Sequence, residues 1–148
     1  AMKEAIGNLA IVAPHEAGFL GFISALLPAL AMGNRVVIVP SQHCALLATD
    51  FYQVIETSDI PAGVINIVTG DQNVLADVLS KHYDVDCLWF WGDVDTCKHI
   101  ESQAAENMKR TWLNYGKYYD WHCDIQACST TFYQHATEIK NVWVPYGI

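Results

Sequence analysis

His122, Cys123, Cys128 and His135 are the side chains of this sequence with the chemistry to hold a metal ion, since imidazole nitrogen and thiolate are the usual zinc ligands. Their spacing matches no standard site, so they read as a loose cluster in a late loop and no metal is expected; a zinc-bound interaction module is the outlying alternative. Cys97, Lys98 and His99 are consecutive on a predicted helix, which turns them to different faces. Nucleotide chemistry needs a phosphate cradle. No G-x-G-x-x-G follows a predicted strand, and there is no Walker lysine motif. Asp93 and Asp95 open a predicted helix, where Asp93 is a good N-cap that would satisfy the helix's own N–H groups.

The elements that must position such groups are regular. Leu9 to Pro14, Arg35 to Pro40, Val64 to Gly70, Val85 to Trp91 and Lys109 to Tyr115 are short apolar, β-branched or aromatic runs, read as five buried strands. Between them Phe19 to Met32, Cys44 to Thr57, Val74 to His82 and Asp95 to Met108 carry helical periodicity. Gly33-Asn34 stops the first helix, and Ile60-Pro61-Ala62-Gly63 is a turn. In the second helix Leu46, Leu47, Phe51, Val54 and Ile55 form the expected core stripe. Near-continuous apolar strands alternating with helices predict an α/β fold: a doubly wound, Rossmann-like, five-stranded parallel sheet with helices on both faces. Residues 116–128 are aromatic and polar without a clear period. Thr137 to Val144 then reads as an edge strand ended by Pro145, with Ile139, Val142 and Val144 as its apolar row and Trp143 opposite.

Composition narrows the function classes. The 148 residues, 52% hydrophobic and 16% charged, describe one globular domain. A formal net charge of −8 argues against nucleic-acid and anionic-membrane partners. The uncharged stretch from Gly18 to Gly33 is too short to span a bilayer, and no secretory leader is read. Five cysteines without framework spacing read as free thiols, which points to a reducing compartment and hence the cytoplasm.

Specific segments then carry a resemblance. Pro28-Ala29-Leu30-Ala31-Met32-Gly33-Asn34-Arg35-Val36-Val37-Ile38-Val39-Pro40 resembles the PALAxGNxVVxKP stretch of the aldehyde dehydrogenase superfamily. Ile60 to Gly70 resembles its LPxGVxNxVTG, Val85 to Gly92 its FTGS strand, and Lys109 to Gly116 its LELGG strand. The resemblance implies a nucleotide-binding domain over residues 1–117, with 118–148 as a loop and arm strand, and NAD as the ancestral cofactor. The pattern of losses is most similar to the degenerate C-terminal pseudo-domain of the family 16 aldehyde dehydrogenases.

The family's functional positions are altered one after another. Its oxyanion-holding asparagine, in PWNFP, is Glu16, and an ionised carboxylate repels a developing oxyanion. Its ribose-binding lysine is Val39, and the glutamate that follows is Gln42. At the pyrophosphate site, where a helix N-terminus would bind anion, the family's serine is Asp93 with Asp95 beside it, Trp91 is bulky, and a glycine is Cys97. The general-base glutamate of LELGG is read as replaced by Asn114, which takes no proton at neutral pH. The nucleophilic cysteine belongs to a separate catalytic domain for which this chain has no room; Cys123 and Cys128 lack its glycine-glutamine context.

Thr137 to Pro145 resembles TEVKTVTVKVP, the family's C-terminal strand in its oligomerisation arm. The expectation is therefore a non-catalytic domain, without catalytic residues or cofactor, that acts in dimerisation or another protein contact. Its partner is a second copy or a dehydrogenase-like domain of the same polypeptide, engaged through Ile139, Val142, Trp143 and Val144. The alternative is an NAD-dependent aldehyde dehydrogenase fragment whose catalytic half lies elsewhere in the full chain.

Overall fold

A computed structural model describes residues 1–146; Gly147 and Ile148, the end of the 118–148 segment, lie outside the described residues. Five strands form a parallel sheet in the order β4-β3-β2-β5-β6: β2 (Asn8–Val12), β3 (Arg35–Val39), β4 (Ile65–Ile67), β5 (Cys87–Phe90) and β6 (Arg110–Leu113). The helices are α1 (Gly18–Ala31), α2 (Ala45–Asp50), α3 (Tyr52–Glu56), α4 (Gln72–Lys81), α5 (Val94–Ala104), α6 (Asp124–Ala127) and α7 (Thr131–His135). The predicted doubly wound sheet is what forms.

Alternation along the strands divides the core in two. Leu9, Ile11, Val36, Ile38 and Trp89 face one side, where Phe22, Ala25 and Leu26 of α1 and Phe132 of α7 meet them. Ala10, Val12, Leu88 and Phe90 face the other, against Ala76 of α4 and Cys97 and Ile100 of α5. Burying both faces is what makes these strands apolar throughout. From β2 the chain winds outward to β3 and β4, then returns across the sheet to β5 beside β2. That reversal opens a crevice beyond the C-terminal ends of β2 and β5, the usual ligand position in such sheets.

Helix α1 closes at Gly33, whose φ of +88° suits a residue without Cβ. Asn34 follows, 1% exposed. Its side chain accepts from the Gly7 N–H at 3.1 Å and donates to the carbonyls of Ala29 at 2.9 Å and Ala136 at 2.8 Å. One amide thus joins the approach to β2, the end of α1 and the tail.

Three expectations change. The helix foreseen over 44–57 divides at Phe51 into α2 and α3, and only Phe51 and Ile55 of its stripe pack on the core. Leu46, Leu47 and Val54 face outward. Residues 118–136 are not merely a loop: α6 and α7 carry Ala127 and Phe132 into buried positions, and Trp121, in the turn before α6, is buried with them. The tail strand is shorter than foreseen. β7 (Thr137–Lys140) pairs antiparallel with β1 (Met2–Ala5) of its own chain, in the register Met2 opposite Lys140. Beyond Lys140 no strand partner remains among the described residues, so Val142, Trp143 and Val144 lie exposed outside any strand. Ile139 of β7 is exposed too, and with Val142 and Val144 outside the strand the three do not make one strand row.

Candidate functional site

A cleft of about 540 Å³ lies at the C-terminal ends of β2, β5 and β6. It is walled by His15 and Glu16 after β2, by Trp91, Gly92 and Asp93 after β5, and by Asn114 and Lys117 after β6. A second cleft of about 320 Å³ adjoins it, lined by His15, Gln42, Asp71, Phe90 and Trp91. The structure therefore brings most of the altered family positions to one crevice.

The first turn of α5 is already occupied. Asp93 Oδ1 accepts from the backbone N–H of Asp95 at 3.0 Å and of Thr96 at 2.9 Å, and Oδ2 accepts from the Thr96 hydroxyl at 2.6 Å. These bonds, the Thr96 hydroxyl first, hold the Asp93 carboxyl below the usual carboxylate range. A helix start that would attract an anion instead carries a fixed negative charge on its own amides. Asp95 adds a second exposed carboxylate, with Lys98 only at 3.8 Å. Glu16 is exposed at the mouth.

Trp91 plays a different part from the plug over α5 that its size suggests. Its indole joins the core face of α1 and α7, in edge contacts with Trp112 at 5.4 Å and Trp121 at 5.3 Å. α5 covers the opposite face. Trp91 is thus a cleft wall anchored from behind by other aromatics.

Cys97 is fully buried, its thiol donating to the Gly92 carbonyl at 3.6 Å, and burial pushes its pKa up. It is a packing residue without thiolate character. Val39 is fully buried in the α4–α5 cluster, and Gln42 is exposed in the turn after β3. Neither supplies a cation.

Asn114 is used structurally. Its Oδ1 accepts from the Gly92 N–H at 2.9 Å and the Gly116 N–H at 3.3 Å, while Nδ2 donates to the Lys117 carbonyl at 3.0 Å. Letter on letter, LELGG over Trp112 to Gly116 sets the glutamate on Leu113, one residue before Asn114, and this corrects the sequence alignment. Leu113 packs against the apolar cluster under α5, so no carboxylate stands at either position. Tyr115 falls on the first glycine and takes φ +52°, a left-handed conformation that a bulky residue adopts under strain. Its hydroxyl donates to Glu101 at 2.6 Å, and that contact raises its pKa to about 12.

The candidate metal ligands are dispersed in role. His135 stacks on Trp112, with ring centroids 4.2 Å apart and 8° from parallel. His122 and Cys123 precede α6, and Cys128 follows it. Among the described residues no group of three or more His, Cys, Asp or Glu side chains is arranged to hold a metal ion. Sequence reasoning missed the stack on Trp112 and the bonds of Asn34. The aromatic richness of residues 118–133 was the available signal that this segment is a packed cover.

A doubly wound parallel sheet with its crevice at the switch point defines the nucleotide-binding class of α/β domains. The aldehyde dehydrogenase family matches residues 1–117, and the chain belongs to that family. It is 35% identical over 116 residues to the NADP/NAD-dependent aldehyde dehydrogenase PuuC of Escherichia coli (strain K12), covering 78% of this chain and 23% of that protein. To the betaine aldehyde dehydrogenase of Bacillus subtilis (strain 168) it is 32% identical over 115 residues, covering 78% of this chain and 24% of the relative. Among solved structures, an aldehyde dehydrogenase from Bartonella henselae superposes with a TM-score of 0.69 at 29% identity, over 75% of this chain and 23% of that one. Betaine aldehyde dehydrogenase from Staphylococcus aureus, in complex with NAD+, superposes with a TM-score of 0.70 at 32% identity, over 76% and 22% of the two chains. The chain thus spans less than a quarter of the length of these relatives. Among the described residues no helix is long and apolar enough to cross a membrane.

Proposed function

We propose that this is a pseudoenzyme domain: an aldehyde-dehydrogenase-like nucleotide fold that binds no cofactor and catalyses no oxidation, and that serves in dimerisation or another protein contact. The observation that carries the reading is the Asp93 carboxylate bonded to the first-turn amides of α5. NAD, the ancestral cofactor and a bound ligand of the Staphylococcus aureus relative, does not fit these residues. Its pyrophosphate would meet Asp93 and Asp95 where it needs free N–H groups, and Val39 gives its ribose no partner. The chemistry is missing on the same grounds, since Glu16, Leu113 and Asn114 supply neither an oxyanion donor nor a base. The pattern of losses resembles that of the family 16 pseudo-domain.

The partner is a second copy, or a dehydrogenase-like domain of the same polypeptide. Support comes from the exposed run Ile139, Val142, Trp143 and Val144 beside the β1–β7 ribbon, whose outer edges are unpaired among the described residues. The residues between β6 and β7 fold into α6 and α7 over the sheet and leave no place between them for a catalytic domain. Five free cysteines suit a reducing, cytoplasmic setting. The alternative, a part of an NAD-dependent dehydrogenase completed elsewhere in the full chain, draws on the short coverage of the relatives. Calorimetric titration with NAD separates the two: the pseudoenzyme gives no binding heat, and the dehydrogenase part saturates.

A further inference from the structure

The tail rejoins the domain through three consecutive residues, each fixed to a different partner. His135, the last residue of α7, lies flat on Trp112 of β6. Ala136 gives its carbonyl to the buried Asn34 amide. Thr137, the first residue of β7, gives its carbonyl to Arg110 Nη1 at 3.1 Å. Arg110 and Trp112 are two residues apart on β6, so their side chains leave the same face of the strand. His135 therefore rests on one and feels the charge of the other.

We propose that His135 is an acid-sensitive latch: its protonation detaches α7 from β6, loosens the hold of Arg110 on β7, and opens the aromatic face beneath. The neutral imidazole is half-buried and stacked. Charging it desolvates a cation and sets it near the Arg110 guanidinium. Arg110 cannot swing clear without giving up the Thr137 carbonyl, so repulsion at His135 is passed to β7. The face of Trp112 attracts a cation and works the other way. Burial first, and Arg110 second, prevail and hold His135 below the ordinary histidine value. Helix α1, which packs on α7, has no charged residue. Phe132 of α7 and the aromatics it meets, Trp112, Tyr119 and Trp121, bring no charge. On the ribbon, Glu138 is exposed and Lys140 is paired with Glu4 at 3.1 Å. Arg110 is the charge that acts on His135.

An unfolded histidine titrates near about 6.5, and the docked one lower, so the open tail binds the proton more readily than the closed one. The closed tail is fully favoured above about pH 6.5 and is lost as pH falls through the depressed His135 value. This latch is independent of whether the crevice binds nucleotide.

Proton NMR of the full chain between about pH 8 and pH 4.5, a range that brackets the free histidine value, tests it, together with tryptophan emission. His135→Phe keeps a flat ring on Trp112 and identifies the His135 resonance by its loss. The expected result is a His135 midpoint below that of free histidine, and a red shift of emission over the same interval that His135→Phe abolishes. Arg110→Gln should move the midpoint upward. A wild-type midpoint at or above the free value, or an unchanged red shift in His135→Phe, overturns the latch. Should Arg110→Gln not fold, the wild type and His135→Phe still decide.

Discussion

Asn114 accepts the Gly92 N–H at 2.9 Å across 22 residues of sequence, and so ties the loop after β6 to the loop after β5. With its other end on the Lys117 carbonyl, the side chain acts as a brace at the rim of the crevice. Asn114→Ala leaves these backbone groups without their side-chain partner and should lower stability by about 1–2 kcal/mol. Asn114→Asp keeps the acceptor for Gly92 and should cost less. Urea unfolding of the two variants measures the order, and equal stability of all three proteins would remove the brace.

Asp93 caps α5, and in the proposed function its charge has the further role of repelling anions. Asp93→Ser should leave the cap largely intact, since serine is also a good N-cap, while Asp93→Ala should weaken the helix. The Asp93 carboxyl is depressed in the folded state, so its support is present above about pH 4, the unfolded aspartate value, and is lost as pH falls through the folded one. Asp93→Ser should restore measurable NAD affinity by itself, whereas Val39→Lys would bury an ammonium in the apolar α4–α5 cluster. If calorimetry on the folded Asp93→Ser variant finds no binding, the crevice has been mapped wrongly.

Asn34 offers a second stability test. Asn34→Ala removes bonds to Gly7, Ala29 and Ala136 from a buried site, at about 1–3 kcal/mol for each group left without a partner. Loss of the bond to Ala136 should also free the tail, so amide exchange in α7 and β7 should quicken before that in β2 and β3. Uniform acceleration across the domain would show that Asn34 does not tether the tail in particular.

The exposed run after Lys140 carries the assembly reading. Deleting Val142 to Ile148 preserves β7 and its pairing with β1, so the domain should stay folded. Light scattering should report a dimer for the full chain and a monomer for the shortened one. Equal masses, whether both monomer or both dimer, remove this segment from the interface.

The sheet was legible because each strand from β2 to β6 is an apolar run bounded by polar or turn residues. β1 was not, since Lys3 and Glu4 give Met2–Ala5 no apolar run and only β7 makes it a strand. α7 is a five-residue helix held chiefly by Phe132 and the His135 stack, which are tertiary contacts without a local period. At the site, the Asp93 cap was readable because capping is decided within three residues of sequence. The direction of Trp91 and the bracing by Asn114 depend on which sheet face and which neighbouring loop each side chain meets, and sequence order does not reveal that.

The loss of nucleotide binding is the claim on which the pseudoenzyme reading stands, and isothermal titration of the full chain with NAD tests it directly. No saturable heat should appear, which corresponds to a dissociation constant weaker than about 1 mM. The chain should likewise produce no NADH from propanal. A one-to-one isotherm with a micromolar constant would show that α5 still accepts a pyrophosphate despite Asp93, and would contradict the reading.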